Sequence, residues 1–496
     1  MTADVGSAPR STPEPEPVPA PDGPMPRQIK VVLALLLVAS FVVILNETIM
    51  GVALPSLMTE LGISAASAQW LTTAFLLTMA VVIPMTGLIL QRFTTRTVFI
   101  AAMSLFTAGT LLAAAAPGFG LLVVARVVQA SGTAVMLPLL TTTVLTFVPA
   151  SRRGRTMGLI TIVIAVAPAI GPTFSGLILS ALSWRWLFLI VLPIAALSLV
   201  TGSVLVKNVT TPRPVRFDVP SILLSATAFG GLIYGLSSIG EATQGHTPVP
   251  PAVPIVVGAA ALVVFVLRQL RLQRRDAALL DLRPFRSRPF VLGIIVLLIS
   301  MGALFGTLIL LPIYLQDVLG LTTLETGLLL LPGGATMGLM APLVGRAFDR
   351  VGPRPLVIPG TFVVTGALAL MTLLDESSPV PLVLALHVSL TVGLSFVMTP
   401  LMTSALGSLG TSLYSHGSAI MSTLQQLAGA AGTALFITIM TTGTVEHTAA
   451  GLDEVAAQAA GIHSAFLCGA ALAVVAALTS LLVRRPPTTP EQLPAH

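Results

Sequence analysis

The sequence predicts an all-α membrane protein that crosses the bilayer many times. Of its 496 residues, 55% are hydrophobic and only 9% are charged, a balance typical of polytopic helical membrane proteins. Apolar runs of about 20 residues or more recur along the chain, and each is long enough to span a bilayer as a helix. The positive charges between these runs lie almost entirely on alternate loops, which is the positive-inside pattern of a multi-pass protein.

Fourteen apolar runs are separated by arginine clusters or by short loops of Gly, Pro and acidic residues. We predict one membrane-spanning helix for each run, and the even number places both termini on the same side. The predicted spans are 31–57, 69–90, 97–116, 120–148, 156–182, 186–206, 219–239, 252–271, 289–316, 325–347, 355–374, 380–407, 416–440 and 462–483.

The distribution of charge predicts the orientation. Every Lys and Arg except Arg126 and Arg185 lies in a terminus or at a loop on one side of the predicted bundle. Such loops face the cytoplasm, so we predict a plasma (inner) membrane protein with both termini cytoplasmic. The tails, 1–29 and 486–496, are expected to be disordered because they are rich in Pro and poor in large apolar residues. The basic pI then reflects topology, and no nucleic-acid partner is predicted.

An internal repeat divides the chain into halves. The segment Leu54–Arg96 recurs about 257 residues later as Leu311–Arg354, an offset of eight spans that preserves orientation and implies two parallel halves. We predict six-helix halves at 30–207 and 289–485, with a two-helix insert and cytoplasmic loop at 208–288. A binding site is expected where the halves meet.

Two ionisable side chains lie deep within predicted spans, Glu47 in the first and Arg126 in the fourth. A charge in the bilayer is costly unless it faces the bundle interior and finds a partner. At about 1.5 Å per residue both side chains reach the outer half of the membrane, where they can meet. We expect this pair to handle the proton of a transporter, and a permanent structural ion pair is the alternative.

Three groups of residues form motifs typical of one transporter family. The loop after span 2 contains Gly87, Gln91, Arg92 and Arg96. The loop after span 10 contains a second copy of the motif, closer to the family pattern, with Gly345, Asp349, Arg350 and Arg354. Span 4 holds Arg126 with Gln129, and span 5 holds Pro168, Gly171, Pro172 and Gly176. With these motifs nearly the whole chain resembles the major facilitator superfamily, specifically its fourteen-span drug:proton antiporters.

The resemblance implies roles for these residues. The two Gly/Arg loops would latch the cytoplasmic face shut, with Asp349 the better candidate for a switching acid because Gln91 replaces the acid of the first copy. Span 5 would be a hinge that packs through small residues on span 10. In span 1 Asn46 stands where the family has an acid, and the carboxylate is at the next residue, Glu47. Adjacent residues of a helix point about 100° apart, so we expect Glu47 to face a different wall of the cavity.

The function predicted on this basis is proton-coupled efflux of lipophilic, often cationic drugs or antibiotics by alternating access. Asn46, Gln129 and Gln425 would be polar cavity residues, and Phe305, Met337 and Met398 would give adaptable apolar contacts. The expected partners are a small lipophilic molecule, protons and the bilayer, with a monomeric chain and no cofactor or metal.

Two alternatives stay open at this point. One is a proton-coupled carrier of a nutrient or metabolite, in which a polar solute would accumulate inside the cell. The other is a non-transporting receptor or scaffold, which would need a folded soluble domain. An enzyme is not expected, because the sequence has no evident nucleophile–base or metal-ligand cluster.

Overall fold

The computed structural model describes residues 26–63, 65–179, 181–206, 208, 212, 218–239 and 249–483. Over these residues the regular secondary structure is helical throughout. The predicted C-terminal tail lies outside the described residues, as does most of the N-terminal one, whose last residues from Arg27 already belong to the first helix.

The described part of the chain contains fourteen long α-helices, which we number α1 to α14 in chain order. Their bounds are Arg27–Leu61, Ala65–Arg92, Thr95–Ala114, Phe119–Phe147, Arg153–Leu179, Arg185–Leu205, Val219–Ser237, Ala252–Leu272, Arg288–Ile313, Thr323–Val351, Arg354–Met371, Val380–Gly407, Tyr414–Ala449 and Glu454–Ser480. Each overlaps one predicted span, although α13 ends nine residues later and α14 begins eight residues earlier than predicted.

Length and composition support membrane insertion. Among the described residues, thirteen helical segments are long and apolar enough to cross a membrane. The remaining long helix, α5, has 27 residues and packs within the same bundle. The prediction of an all-α polytopic membrane protein is confirmed.

Short polar signals set several helix ends. The side chain of Thr94 accepts a hydrogen bond from the backbone N–H of Thr97 at the start of α3, and Thr322 with Glu325 forms a capping box at α10. Such contacts satisfy N–H groups that have no partner within the helix. Helix α1 ends at Gly62, whose φ of 62° is left-handed and favours glycine.

The helices pack as two similar groups. In the first, α3 packs on α4 and α6, α2 on α4, and α1 on α5; in the second, α11 packs on α12 and α14, α10 on α12, and α9 on α13. These pairs correspond when the helix number rises by eight, as the sequence repeat predicts.

The groups meet along two seams. Helix α5 packs against α10 and α12, and helix α13 packs against α2 and α4. We call these contacts the α5/α10 seam and the α2/α13 seam. The remaining helices, α7 and α8, pack on each other, and α7 also contacts α2 and α13, so the insert lies beside the α2/α13 seam.

A candidate transport site between the two halves

Arg126 lies fully buried in α4. Its Nη1 donates to Oδ1 of Asn46 on α1 and to Oε1 of Gln129, both at 3.1 Å. Its Nε donates to the carbonyl of Leu71 on α2 at 3.4 Å, and the ring centroid of Phe75 is 4.0 Å from the guanidinium carbon, a cation–π contact. Arg126 therefore joins three helices of the N-terminal half.

The network continues into α3. Gln129 donates from Nε2 to Oγ1 of Thr110 at 2.8 Å. Helices α3 and α4 approach closely enough for this bond because glycines lie at their contact: a Cβ on Gly132 would be 2.3 Å from the carbonyl oxygen of Ala102, and one on Gly109 would be 2.6 Å from the amide nitrogen of Gln129. Small residues thus position the polar pair within the helix bundle.

Glu47 has different neighbours from Asn46, although the two are adjacent in α1. Its carboxylate accepts a hydrogen bond from the side chain of Gln426 on α13, in the opposite half, and interacts electrostatically with Arg126. Among the ion pairs of the described residues, none joins Glu47 to Arg126. The structure brings the two charges into one region without direct contact, and Asn46 takes the position beside the guanidinium.

A cavity separates the halves at Glu47. It has a volume of about 100 Å³, below the roughly 300–1,000 Å³ of most ligand pockets. Its walls are formed by α1, α2, α4 and α5 on one side and by α9 and α13 on the other. The polar side chains that line it are Glu47, Thr48, Thr133, Ser422, Gln425 and Gln426.

The cavity is otherwise apolar. Met79, Met301 and Phe305 give it polarisable, adaptable walls, and Glu47 is the one charged side chain among the described lining residues. Nε2 of Gln425 is buried without a hydrogen-bond partner in the described part of the chain, so it can donate to a ligand. These walls suit a lipophilic molecule with a cationic or hydrogen-bonding group.

The predicted pocket residues are placed differently from one another. Gln425 and Phe305 line the cavity, whereas Met337 and Met398 are buried in the packed core and do not. Residues next to them pack on α5: a Cβ on Gly338 would be 2.5 Å from Cγ2 of Val166, and Thr399 shares a hydrogen bond with Thr161 at 2.8 Å.

Part of the small face of α5 has a different partner from the one expected. A Cβ on Gly171 would lie 2.2 Å from Oγ1 of Thr48, and Ser175 donates to the carbonyl of Ile49 at 3.0 Å. At these two residues α5 packs on α1, whereas elsewhere it packs on α10 as expected, with Gly158 against Ala341. No atom lies within 4 Å of a Cβ on Gly176. The side chains of the predicted hinge prolines, Pro168 and Pro172, lie outside the described structure.

The α5/α10 seam is closed at the end of the bundle that carries the arginine clusters, which we call the arginine-rich end. Asp349 accepts backbone hydrogen bonds from Gly154 at 2.7 Å and Arg155 at 2.9 Å. These N–H groups belong to the first turn of α5, where a negative charge is stabilised. The backbones nearly touch, since a Cβ on Gly345 would be 2.3 Å from the carbonyl oxygen of Gly154.

The α2/α13 seam is closed at the same end by neutral groups. Gln91 donates from Nε2 to Oγ of Ser415 at 3.2 Å and, more weakly, to the carbonyl of Ser412 at 3.5 Å. Gly87 packs against His416, with a Cβ position 2.8 Å from Nδ1. That nitrogen accepts the backbone N–H of Asp281 at 3.3 Å, which joins the loop after α8 to the seam.

The arginines of the two predicted latch loops do not all bridge the halves. Arg96 donates to the carbonyl of Ser203 on α6, within its own half, at 2.7 Å. Arg92, Arg350 and Arg354 are exposed. The contacts described between the halves include those of Gly87, Gly345, Gln91 and Asp349.

Several bridging or lining residues were missed at the level of sequence. Arg153 donates to Oη of Tyr414 at 3.2 Å and to the last carbonyls of α4, and the Thr161–Thr399 bond also crosses the halves. Neither pair has a sequence signal, because the partners are remote in the chain. Two cavity residues did have a sequence signal, because each lies near a predicted one: Thr133 is one turn beyond Gln129, and Gln426 follows Gln425.

Comparison with known proteins agrees with this geometry. A profile of the Major Facilitator Superfamily matches residues 36–433. The chain is 44% identical over 459 residues to the lincomycin resistance protein LmrB of Listeria monocytogenes, covering 92% of this chain and 96% of that one. It is 41% identical to LmrB of Bacillus subtilis, covering 91% and 95%. It is 29% identical to a multidrug resistance protein B homolog of Mycobacterium tuberculosis, covering 81% and 74%.

Two solved structures share the architecture. The human organic anion transporter MFSD10 matches with a TM-score of 0.63 at 14% identity, covering 92% of this chain and all (100%) of that one. The proton:xylose symporter XylE matches with a TM-score of 0.60 at 16% identity, covering 92% and 96%. At such identities the likeness extends to the fold alone.

Proposed function

We propose, since the chain belongs to the major facilitator superfamily, that it exports lipophilic drugs or antibiotics in exchange for protons. Relatives whose names record lincomycin resistance and multidrug resistance support drug efflux. The chain is a multi-pass membrane protein and a transporter rather than an enzyme. We place it in the plasma membrane as a monomer, with the arginine-rich end and both termini in the cytoplasm by the positive-inside rule.

The observation that carries proton coupling is the position of Glu47. It is the one charged side chain among the described residues of the cavity between the halves, and Gln426 of the opposite half holds it by a hydrogen bond. An ionised carboxylate attracts a cationic drug and accepts that hydrogen bond, whereas a protonated one does not attract a cation. Drug and proton therefore compete for Glu47, and each departs when the other binds.

Arg126 serves this site as a fixed charge. Its hydrogen bonds go to Asn46, Gln129 and the carbonyl of Leu71, so it does not neutralise Glu47 by direct pairing. Asn46, which it contacts, is adjacent to Glu47 in α1, so the positive charge still lies near the carboxylate. This arrangement favours a titrating carboxylate over a permanent structural ion pair.

Alternating access uses the two seams. Both are closed at the arginine-rich end in this structure, by Asp349 on α5 and by Gln91 on α13. In the proposed cycle the halves, 30–207 and 289–485, rock about the cavity, and release of both seams exposes it to the cytoplasm. The insert, 208–288, contacts both halves through α2 and α13. The apolar walls favour this reading over import of a polar nutrient.

The test is uptake of a fluorescent lipophilic cation by inside-out vesicles under an imposed pH gradient. Glu47→Gln keeps a side chain of the same shape but cannot titrate, so we expect proton-driven uptake to fall to background. Glu60→Gln is the matched control, because Glu60 is in the same helix but exposed and outside the cavity. If Glu47→Gln takes up the dye at the wild-type rate with unchanged pH dependence, drug and proton do not compete for Glu47.

A second series tests the fixed charge. Arg126→Ala should abolish transport without preventing membrane insertion, and Arg126→Lys should recover only part of it, because Lys keeps the charge but not the planar fork that reaches Asn46 and Gln129. Transport by Arg126→Ala at the wild-type rate would remove Arg126 from the mechanism. Joint loss of insertion and transport in both variants would show a folding role instead.

A further inference from the structure

A second pocket lies at the arginine-rich end of the insert, away from the transport cavity. It has a volume of about 620 Å³ and is bounded by α7 and by the last turns of α8 with the short helical turn that follows. Four arginines line it, Arg268, Arg271, Arg274 and Arg275, together with aliphatic residues that include Leu224, Val264 and Leu267. No residue of this lining belongs to the lining of the transport cavity.

The charges of the pocket are mostly uncompensated. Arg268 is paired with Asp218 through two hydrogen bonds of 2.8 Å, and these bonds lower the pKa of Asp218 to about 2. Arg271, Arg274 and Arg275 are exposed, and no ion pair found among the described residues includes them. Three guanidinium groups therefore line one concavity without an acidic partner in the part of the chain that the structure describes.

The apolar part of the pocket faces outward. Val264 is 51% exposed and Leu267 is 54% exposed. Of the candidate spans, the one that contains α8 has the smallest share buried in the protein, 17%, so α8 lies on the lipid-facing surface. Along α8 the surface changes from exposed aliphatic side chains to exposed guanidinium groups. A phospholipid changes in the same direction, from its acyl chains to its charged headgroup.

We propose that this pocket binds an anionic phospholipid of the adjacent leaflet. The phosphate contacts Arg271, Arg274 and Arg275, because guanidinium groups match phosphate oxygens in bidentate geometry. An acyl chain lies along Val264 and Leu267. A soluble phosphate would satisfy the charges but would leave these aliphatic side chains uncovered, so the combined surface favours a lipid. The inference does not depend on the transport cycle.

The test uses the purified full-length chain in a neutral detergent. Native mass spectrometry counts the lipids retained when phosphatidylglycerol or the zwitterionic phosphatidylcholine is added. We expect retention of phosphatidylglycerol in preference to phosphatidylcholine. The double variant R274Q/R275Q should weaken it about tenfold or more, since each guanidinium near the surface contributes to anionic lipid binding.

The control is R286Q/R288Q, which removes the same number of exposed charges from the next segment of the chain, outside the pocket. It should change retention by less than about twofold. Equal loss in both double variants would overturn the proposal, because it would show attraction to net charge alone. A melting curve for each variant separates loss of the lipid from loss of the fold.

A third variant distinguishes a lipid from a free phosphate. Leu267→Ser keeps all four arginines but removes apolar surface, so it should weaken phosphatidylglycerol retention while leaving any binding of glycerol 3-phosphate unchanged. Displacement of phosphatidylglycerol by an equal concentration of glycerol 3-phosphate, with no effect of Leu267→Ser, would show a headgroup-only anion site and reject the acyl-chain contact.

Discussion

The two seams between the halves occupy equivalent positions in the internal repeat, yet different chemistry closes them. At the α5/α10 seam a carboxylate, Asp349, accepts two backbone N–H groups at a helix start, and the backbones of Gly154 and Gly345 come together. At the α2/α13 seam the equivalent position is Gln91, a neutral amide that reaches Ser415 at 3.2 Å.

The difference shows that the position of a contact between the halves and the free energy it contributes are set by different features. Symmetry of the repeat decides where the halves touch, and the side chain at the contact decides how much that contact contributes. A hydrogen bond to a charged group contributes about 1.5–3 kcal/mol, against roughly 0.5–1.5 kcal/mol for a neutral one. The α5/α10 seam should therefore supply most of the closing free energy, while α7 of the insert gives the α2/α13 seam additional packing.

One reporter serves all four predictions that follow. Cys468 is the one cysteine of the chain and is replaced by Ser, and Ser422, which lines the cavity, is replaced by Cys. Labelling of this cysteine by a membrane-impermeant maleimide in inside-out vesicles then measures opening at the arginine-rich end. The rate rises when the closed state loses stability.

The largest effect is expected for Gly345→Val. A Cβ there would be 2.3 Å from the carbonyl oxygen of Gly154, and backbone cannot move aside as a flexible side chain does. We expect maximal labelling and loss of transport. Gly366→Val in α11 is the control, because no atom lies within 4 Å of its Cβ position. Wild-type labelling of Gly345→Val would show that the close approach is unnecessary.

Asp349→Asn should have the next largest effect. The variant loses the charge at the start of α5 and one of two accepted hydrogen bonds, so labelling should rise about tenfold. Asp453→Asn is the control. Asp453 also accepts a backbone N–H at the start of a helix, that of Ala456 in α14 at 2.7 Å, but this bond does not connect the two halves. Similar labelling of both variants would place the effect in helix capping rather than in the seam.

Thr161→Val removes a buried hydrogen bond of 2.8 Å to Thr399 across the halves with little change of volume. The loss of about 1 kcal/mol corresponds to a roughly fivefold rise in labelling. Thr143→Val is the control, because the hydrogen bond described for Thr143 goes to the carbonyl of Leu139 in its own helix. An effect no larger than that of the control would mean that the bond does not stabilise the closed state.

Gln91→Glu makes the two seams alike and should have the smallest effect. A carboxylate near the start of α13 is favoured by the helix dipole and can accept from the hydroxyl of Ser415, so labelling should slow about twofold. The weak bond to the carbonyl of Ser412 is lost. Faster labelling would show that the amide donor, and not charge at the helix start, is what the α2/α13 seam requires.

Much of the architecture followed from local sequence signals. Each of the fourteen apolar runs overlaps one of the helices α1 to α14, because a run that crosses the bilayer must match its thickness. The predicted major facilitator fold and the drug-export family are confirmed, since they rest on motifs contiguous in the chain.

What only the tertiary structure decided is which face of each helix meets which neighbour. Asn46 and not Glu47 contacts Arg126, Gly171 packs on Thr48 of α1, and Met337 is buried in the core rather than lining the cavity. An all-apolar span has no hydrophobic stripe to indicate its inward face. Its rotation is set by close approaches at glycines and by polar bonds between residues far apart in sequence, which no single stretch of the chain records.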